Sequence, residues 1–403
     1  MAARYGMLTP TMDRAHRQSF NASFSAARHQ QVLAVIEREA GFPADFRISE
    51  TPFFADAELT RELTRAAWEI AGQVTDPAYL ARTDRALPPG LAVPGQDAHP
   101  VFLQIDFAVA LGEDGRLTPQ LIELQGFPSV YCFQWLIERA FREAYGIPES
   151  LTPYFDGLDE RSYVDCLRDV IVDGADPETV VLLEVDPEKQ KTRIDFAMTE
   201  RLIGVPTVGL AEVIERDGRL YYHRDGRDVP IHRIYNRVIF DELERKGLAT
   251  DLFHREHPDT VWVGHPNWYF RISKFSLPFL KSRYAPKAWF LSDTIQDLPE
   301  DLESYVLKPL YSFAGLGVEL GPSRERLLGI RDPENFILQR KVEYAPAILT
   351  PDAPAKVEVR MMFVWKDRLR LINNLARMSK GKMMGVDFNK GMTWTGASLA
   401  YHP

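Results

Sequence analysis

A lysine that ends a short apolar run and precedes a glycine-containing turn has the clearest chemical potential in this sequence. The run 305–307 is apolar and partly β-branched, which predicts a buried strand, and Lys308 follows it just before a helix-breaking proline. Ser312, Gly315 and Gly317 then form a small-residue turn before a second apolar run. Glycines let backbone N–H groups approach a phosphate, and an ammonium offsets its charge. The stretch predicts a hairpin lid over a nucleotide, and Lys308 is expected to be solvated at the strand end. The alternative is an ordinary hairpin without a ligand.

The next apolar run, 336–342, predicts a strand that becomes polar at its end. Its backbone near Val342 is placed to contact an adenine edge. Gln339, Lys341 and Glu343 are placed to reach the base or the ribose. Two further strands, 357–365 and 369–375, then form a hairpin, and Arg377 lies just past the second.

Acidic and amide side chains also share one face of an earlier hairpin, formed by 101–109 and 119–124. Alternation places Gln104 and Asp106 on one face of the first strand, while Glu123 and Gln125 project together from the second. Paired carboxylates on adjacent strands suit Mg²⁺, which takes oxygen ligands and bridges to substrate phosphates. The alternative is the exposed face of an edge hairpin, the commoner place for Asp and Glu.

Composition limits the class of protein. The chain has 403 residues, of which 45% are hydrophobic, enough for about two to three domains or one elaborate enzyme. A net charge of −9 argues against a nucleic-acid or anionic-membrane partner. Cys132 and Cys166 form no paired spacing, which fits a reducing cytosol, and residues 1–20 lack the apolar core of a signal peptide. We expect a cytoplasmic protein; no oligomeric state is indicated.

The elements around these residues predict a mixed α+β fold. Residues 25–71 read as helices, and the Pro- and Gly-rich stretch 86–99 as a boundary loop. The strand 180–185, a helix over 196–202 and the run 204–209 predict a Rossmann-like β-α-β unit, with 231–240 as its closing strand.

Taken in order, these motifs resemble the ATP-grasp enzymes, in which two subdomains sandwich ATP. The metal-type hairpin precedes the lysine and glycine lid, and this order resembles the circularly permuted ATP-grasp proteins such as the synthetase part of glutathionylspermidine synthase. The resemblance covers about 100–395 by order of motifs. It implies ATP and Mg²⁺ as cofactors, and an ATP-dependent ligase that joins a small-molecule or peptide carboxylate to an amine or thiol through an acyl phosphate.

The resemblance also implies roles for individual residues. Lys274, in 272–278, resembles the helix-borne lysine that precedes the lid, although a lone helical lysine is usually solvated. Arg237, in 234–243, resembles a Tyr-x-Arg-Val segment near the ligand cleft, with a pair to Asp241 as the alternative. The resemblance implies metal ligation by Asp106, Glu123 and Gln125, contact with the triphosphate by Lys274, Lys308 and Arg377, catalytic roles for Arg377 and Arg237, and cofactor binding by Lys274, Lys308, Ser312, Gly315, Gly317, Gln339, Lys341 and Val342.

This sequence departs from the family at two of these positions. Gln125 stands where the family usually has Asn, and Gln104 stands where an Arg often lies two residues before the aspartate. These departures motivate two alternatives to a ligase, an inactive nucleotide-binding protein and an ATP-grasp kinase. An unpermuted arrangement would instead place the metal on Asp387 and Asn389, with Glu358 as a further carboxylate.

The resemblance divides the chain into five parts. They are an N-terminal helical region (1–99), the metal-binding part of the large ATP-grasp subdomain (100–150), a Rossmann-like pre-ATP-grasp subdomain (165–250), the ATP-binding lid or small subdomain (260–345), and a return to the large subdomain with a phosphate-binding loop (346–403).

Overall fold

The computed structural model describes residues 13–248, 251–312, 315–385, 389 and 391–403, and within these its strands form five sheets. Helices and several sheets together confirm the predicted α+β class. The strands are β1 (Phe53–Phe54), β2 (Phe102–Leu111), β3 (Leu117–Gln125), β4 (Val180–Glu184), β5 (Thr207–Gly209), β6 (Ile214–Arg216), β7 (Arg219–Arg224), β8 (Arg227–Pro230), β9 (Arg233–Asn236), β10 (Val261–Val263), β11 (Ala288–Phe290), β12 (Tyr305–Pro309), β13 (Glu319–Leu320), β14 (Phe336–Arg340), β15 (Lys356–Trp365), β16 (Leu369–Ser379), β17 (Gly396–Ser398) and β18 (Ala400–Tyr401).

Helices lie between many of these strands in the chain. Within the described residues, no helix is long and apolar enough to span a membrane. The helices are α1 (Arg14–Ser23), α2 (Ala26–Ala40), α3 (Ala57–Val74), α4 (Pro77–Leu80), α5 (Tyr131–Tyr145), α6 (Glu160–Ile171), α7 (Arg193–Ile203), α8 (Phe240–Lys246), α9 (Asp251–His254), α10 (Trp268–Arg271), α11 (Leu291–Thr294) and α12 (Arg324–Leu328).

The central sheet joins distant parts of the chain in the order β17-β16-β15-β2-β3, with every neighbouring pair antiparallel. Its apolar face carries Ile105 and Phe107, which are fully buried with Leu59 and Leu63 of α3. Asp56 begins that helix by accepting hydrogen bonds from two first-turn N–H groups. The alternation that buries one face leaves polar residues on the other, and that polar face borders the cavity described below.

A β-bulge interrupts the β2–β3 hairpin beside the polar face. Asp106 pairs with Glu123, whereas Phe107 pairs with Leu121, so Ile122 has no partner across the hairpin. The predicted juxtaposition of Asp106 and Glu123 is confirmed, and the extra residue leaves the Ile122 carbonyl outside the β2–β3 ladder.

A four-stranded parallel sheet follows in the order β10-β9-β4-β5, and helix α7 connects β4 to β5. The β-α-β unit expected here is present, but the closing strand β9 is shorter than expected. Strand β9 ends at Asn236, although the sequence predicts a strand up to Phe240. Helix α8 begins at Phe240 instead.

A smaller antiparallel sheet, β11-β14-β12-β13, carries the lysine and the glycine turn. Strand β12 ends in Lys308-Pro309, and β13 returns beside it, so the predicted hairpin is present. Gly317 has φ of +72°, and a Cβ there would lie 2.8 Å from Cγ of Pro309. Glycine is therefore required at this turn for both conformation and space.

The C-terminal strands hold the N-terminal segment in place. Strand β18 pairs with β1, and the Ala397 N–H donates to the Arg47 carbonyl at 2.9 Å. Gly396 makes this approach possible, because its φ is +122° and an added Cβ would lie 2.5 Å from that carbonyl oxygen.

We expect Gly396→Ala to lower the free energy of unfolding by about 3 kcal/mol or more, since it combines an unfavourable φ with a backbone collision. Gly90→Ala is the matched control: Gly90 also has a positive φ of +82°, but open space surrounds its Cβ position. It should cost about 1 kcal/mol. Urea unfolding of both variants measures the difference, and equal losses would show that the contact with Arg47 has no energetic weight.

Candidate functional site

A cavity of about 1260 Å³ lies between the polar face of the central sheet and the smaller sheet. Among its described lining residues, ten are Lys or Arg and five are Asp or Glu. The whole chain has the opposite balance, with a net charge of −9. A cationic cleft in an acidic protein concentrates anionic ligands. Its volume exceeds the range of about 300–1,000 Å³ that is usual for one small ligand, which leaves room for two.

Two arginines from neighbouring strands line this cavity and hold the buried Asp106, which is outside the described lining. Arg360 of β15, directly opposite Asp106, donates through Nε to Oδ1 at 2.6 Å and through Nη2 to Oδ2 at 2.7 Å. Arg377 of β16 donates to the same Oδ2 at 2.6 Å and also pairs with Glu358. Tyr344 donates its hydroxyl to Glu358 at 2.7 Å.

The two glutamines that depart from the resembled family bond to each other. The Gln125 amide donates to Oε1 of Gln104 at 2.7 Å, and Nη1 of Arg360 donates to the same oxygen at 3.1 Å. The Gln104 amide donates in turn to the Ser129 carbonyl at 2.9 Å. The guanidinium that the family often carries at position 104 is thus absent there, and Arg360 brings one to the same neighbourhood from the next strand.

Lys308 is buried, so the expectation of a solvated ammonium is wrong. Strand β12 points it across to the central sheet, where Nζ donates at 2.8 Å to the Ile122 carbonyl. The β-bulge makes this carbonyl available. Burial lowers the pKa of Lys308 to about 8, and the nearby Glu123 opposes this shift.

Lys274 is also buried, in the 3₁₀ helix Lys274–Phe279 that Ser273 caps. Its Nζ donates to the Ser312 carbonyl at 2.7 Å, which joins this lysine to the start of the glycine turn. Burial lowers the pKa of Lys274, and Glu123 opposes the shift. The alternative of a solvated helical lysine is therefore wrong, and contact of Lys274 with a triphosphate stays a prediction.

Glu123 is half-buried and faces the cavity. Burial favours its neutral form, but the charges of Lys274, Arg377 and Lys308 outweigh burial and lower the pKa of Glu123. Its carboxylate accepts no hydrogen bond from the described residues. Glu358 shows the opposite result, since burial raises its pKa despite the adjacent Arg377.

The end of the cavity beneath the smaller sheet has largely apolar walls. Val306, Leu320 and Val342 line it, together with Gln339 and Lys341. The Gln339 amide donates to the Leu121 carbonyl at 3.3 Å, and Lys341 pairs with Glu343. Contact of these two side chains with a base or ribose stays a prediction. The Val342 N–H finds no hydrogen-bond partner in the part of the chain that is described, and it is available to a ligand.

Arg377 lies within strand β16, which extends to Ser379, rather than just past a strand as expected. It lines the cavity, and its Nε is buried with no partner among the described residues. Burial opposes the charge on Arg377, but Glu358 and Asp106 raise its pKa above the ordinary value. It stays a cation at every physiological pH.

Arg237 is placed elsewhere, outside the described lining of the cavity. It pairs with Asp195 at 3.1 Å, both side chains are buried, and its guanidinium lies over the rings of Phe127 and Phe196. Asp195 in turn accepts the N–H of Phe133 in the first turn of α5. This geometry is that of a buried ion pair, and among the described residues the alternative pair with Asp241 is not formed. The catalytic role of Arg237 stays a prediction.

We expect Arg237→Met to lower the free energy of unfolding by about 3 kcal/mol or more, because Asp195 would be left buried and unpaired. Nucleotide affinity should change less than twofold. Arg245→Met is the control, since Arg245 forms an exposed pair with Asp241 and should cost under about 1 kcal/mol. Urea unfolding and calorimetry measure both quantities. A stable Arg237→Met protein with impaired nucleotide binding would favour the catalytic assignment.

The alternative metal site at Asp387 and Asn389 loses Asn389 as a ligand. The Asn389 side-chain oxygen accepts hydrogen bonds from the Ser379 hydroxyl and from the N–H groups of Lys380 and Gly381, so it anchors a turn. The Glu358 carboxylate accepts hydrogen bonds from Arg377 and Tyr344. Asp387 lies outside the described residues.

The predicted magnesium set does not fit a three-ligand site in this arrangement. Both oxygens of Asp106 accept from guanidinium groups, and the Gln125 amide nitrogen is turned toward Gln104. Across the described ranges, no group of three or more His, Cys, Asp or Glu residues is placed to hold a metal ion. Mg²⁺ stays a prediction. Of the two predicted carboxylate ligands, Asp106 accepts from guanidinium groups and Glu123 accepts no hydrogen bond from a cation among the described residues.

Sequence reasoning missed Arg360 and Tyr344. Alternation along β15 places Glu358 and Arg360 on one face, and this pattern could have identified Arg360 as a candidate site residue. The pairing of Arg360 with Asp106, however, joins positions far apart in sequence, and no local pattern specifies that register.

Comparison with solved structures shows a fold similar to that of a glutathione synthetase-like effector from Globodera pallida in its apo form. The match covers 93% of this chain and 97% of that chain, with a TM-score of 0.58 and 9% sequence identity. At this identity the likeness concerns the fold alone. No family model and no curated protein matches the sequence.

Proposed function

We propose that this protein is an ATP-dependent ligase of circularly permuted ATP-grasp type, which joins a carboxylate to an amine or thiol. The observation that carries the proposal is the cleft in which Lys274, Lys308, Arg360 and Arg377 surround Glu123 between two sheets. The similarity to a glutathione synthetase-like fold supports it. So does the central sheet, which combines strands from before and after the lysine and glycine turn.

In this mechanism the base lies between Val306, Leu320 and Val342, where the Val342 N–H donates to its edge. Lys308 and Lys274 then meet the phosphates at the base of the turn, with Arg377 beyond them. The carboxylate of the acid substrate attacks the terminal phosphorus, the bond to the leaving diphosphate breaks, and an acyl phosphate forms. Fixed cations stabilise the charge spread on the transferred phosphoryl group.

The amine or thiol next attacks the acyl carbon and displaces inorganic phosphate. Water would hydrolyse the acyl phosphate, so closure of the turn carrying Ser312 and Gly317 is expected to exclude it. The bond from Lys274 to the Ser312 carbonyl couples that turn to the phosphate cations. Mg²⁺, when bound, would neutralise phosphate charge.

A phosphate-release assay with ATP and Mg²⁺ tests the proposal, using pools of carboxylic acids and peptides crossed with pools of amines, thiols and polyamines. We expect release that requires one member of each pool, and no release from the Lys308→Ala protein as a control for contaminating hydrolases. Release without any acid and amine would contradict a ligase.

The hydrogen-bonded Gln104 and Gln125 favour one second candidate, a nucleotide-binding protein without catalysis. It predicts ATP binding in calorimetry with no release from any pair of pools. An ATP-grasp kinase predicts a stable phosphorylated acid with no amine requirement, which mass spectrometry would detect.

A further inference from the structure

The carboxylate of Asp106 is fully engaged by cations of the chain itself. Its side chain is 1% exposed, and its two oxygens accept three short hydrogen bonds from Arg360 and Arg377. Two of these bonds come from one guanidinium in the bidentate arrangement, which is the strongest and most directional form of this pair. A metal ion at Asp106 would have to displace these donors and leave two buried guanidinium groups without their anion.

The remaining nitrogen of Arg360 is also fixed. Its Nη1 donates to Gln104, and the Gln125 amide holds that same oxygen from the other side. All three guanidinium nitrogens of Arg360 therefore have partners supplied by β2, and the residue is 7% exposed while still lining the cavity. Such a group is positioned before any ligand arrives.

We propose that Asp106 is a positioning residue that orients Arg360 and Arg377 toward the phosphates, and that it is not a metal ligand; this inference rests on the proposed function. Gln104 supports Arg360 in the same way. Glu123, directly across the hairpin from Asp106, is then the carboxylate that faces a ligand-borne cation.

Calorimetric titration with a non-hydrolysable ATP analogue, once with Mg²⁺ and once with EDTA, separates the two roles. Asp106→Asn should weaken binding by about tenfold in both conditions, because the misplaced arginines contact the nucleotide whether or not the metal is present. The ratio of the two affinities should stay within about twofold of the parent ratio. Glu123→Gln should instead reduce that ratio. A loss for Asp106→Asn that is confined to the Mg²⁺ titration would overturn the proposal.

Arg360→Lys guards against a misfolded Asp106→Asn protein. It keeps the charge and removes no possible metal ligand, but it loses the bidentate fork. We expect weaker binding in EDTA as in Mg²⁺, and parent affinity in both conditions would contradict the proposal. Asp367→Asn, in the exposed turn after β15, is the charge control and should leave both affinities unchanged.

A measurement without ligand keeps the inference separate from the proposed function. The Tm values of Asp106→Asn, Arg360→Gln and the double variant form a thermodynamic cycle. We expect the double variant to lose less than the sum of the single losses by about 5 °C. Additive losses would overturn the positioning role. Coupled losses in a parent that binds no nucleotide would overturn the proposed function and the orientation toward phosphates, while the support of Arg360 by Asp106 would stand.

Discussion

Replacing Lys308 by alanine is expected to weaken nucleotide binding by about 100-fold, the upper range for a charge-assisted hydrogen bond to phosphate. Lys308 is buried at the base of the glycine turn, lines the cavity and donates from Nζ to the Ile122 carbonyl. Calorimetry with a non-hydrolysable analogue measures the loss. Equal affinity in the variant and the parent would remove Lys308 from the phosphate site.

The same lysine should make binding pH-dependent. Its pKa of about 8 in the free protein lies below the ordinary value, so nucleotide affinity should fall above pH 8, by at most about tenfold per pH unit. Lys308→Arg keeps its charge and should remove this fall. A parent protein whose affinity is flat from pH 7.5 to about 9.5 would show that Lys308 does not titrate in this range.

The contribution of Lys308 to the free energy of unfolding should rise with pH, whereas its contribution to nucleotide affinity should fall. Because the unfolded chain binds this proton more tightly than the folded chain, the contribution of Lys308 to the free energy of unfolding rises between pH 8 and the unfolded pKa of 10.5. The difference in stability between the parent and Lys308→Ala should therefore shift in favour of the parent across that window. Urea unfolding at paired pH values measures it.

Replacing Arg377 by methionine is expected to reduce turnover by about 10³-fold, the lower range for an arginine that stabilises a transferred phosphoryl group. Arg377 is the cavity-lining cation that bridges Asp106 and Glu358, so its charge is held in place through two contacts. Nucleotide affinity should change less than turnover, since this interaction is expected to strengthen as the phosphoryl group transfers.

Two variants define the specificity of that result. Arg377→Lys keeps the charge without the fork and should recover only part of the activity. Arg368→Met removes an arginine from the exposed turn before β16, where it pairs with Asp156, and should leave turnover unchanged. Equal kcat values for the parent and Arg377→Met would exclude Arg377 from the reaction, whatever its effect on stability.

Local patterns were sufficient for the hairpins and for the shared face of Asp106 and Glu123. A period of two specifies which residues project together, and turn residues mark where a strand reverses. They were insufficient for the burial of Lys274 and Lys308, because burial depends on what packs over a strand end. They also could not reveal Arg360 or the partner of Arg237, since both contacts join segments that no short-range rule connects.

The architecture of the central sheet has a consequence for how the chain acquires its structure. Strands β15 and β16, which carry Arg360 and Arg377, lie more than 200 residues after β2 and β3 in the chain. The polar face of the β2–β3 hairpin therefore gains these arginines only when the later strands have been made and have paired. Such distant pairings make loop closure costly and folding slow. During synthesis, Asp106 and Glu123 therefore emerge long before the cations that neutralise them, and the early hairpin exposes an unpaired strand edge to other nascent chains.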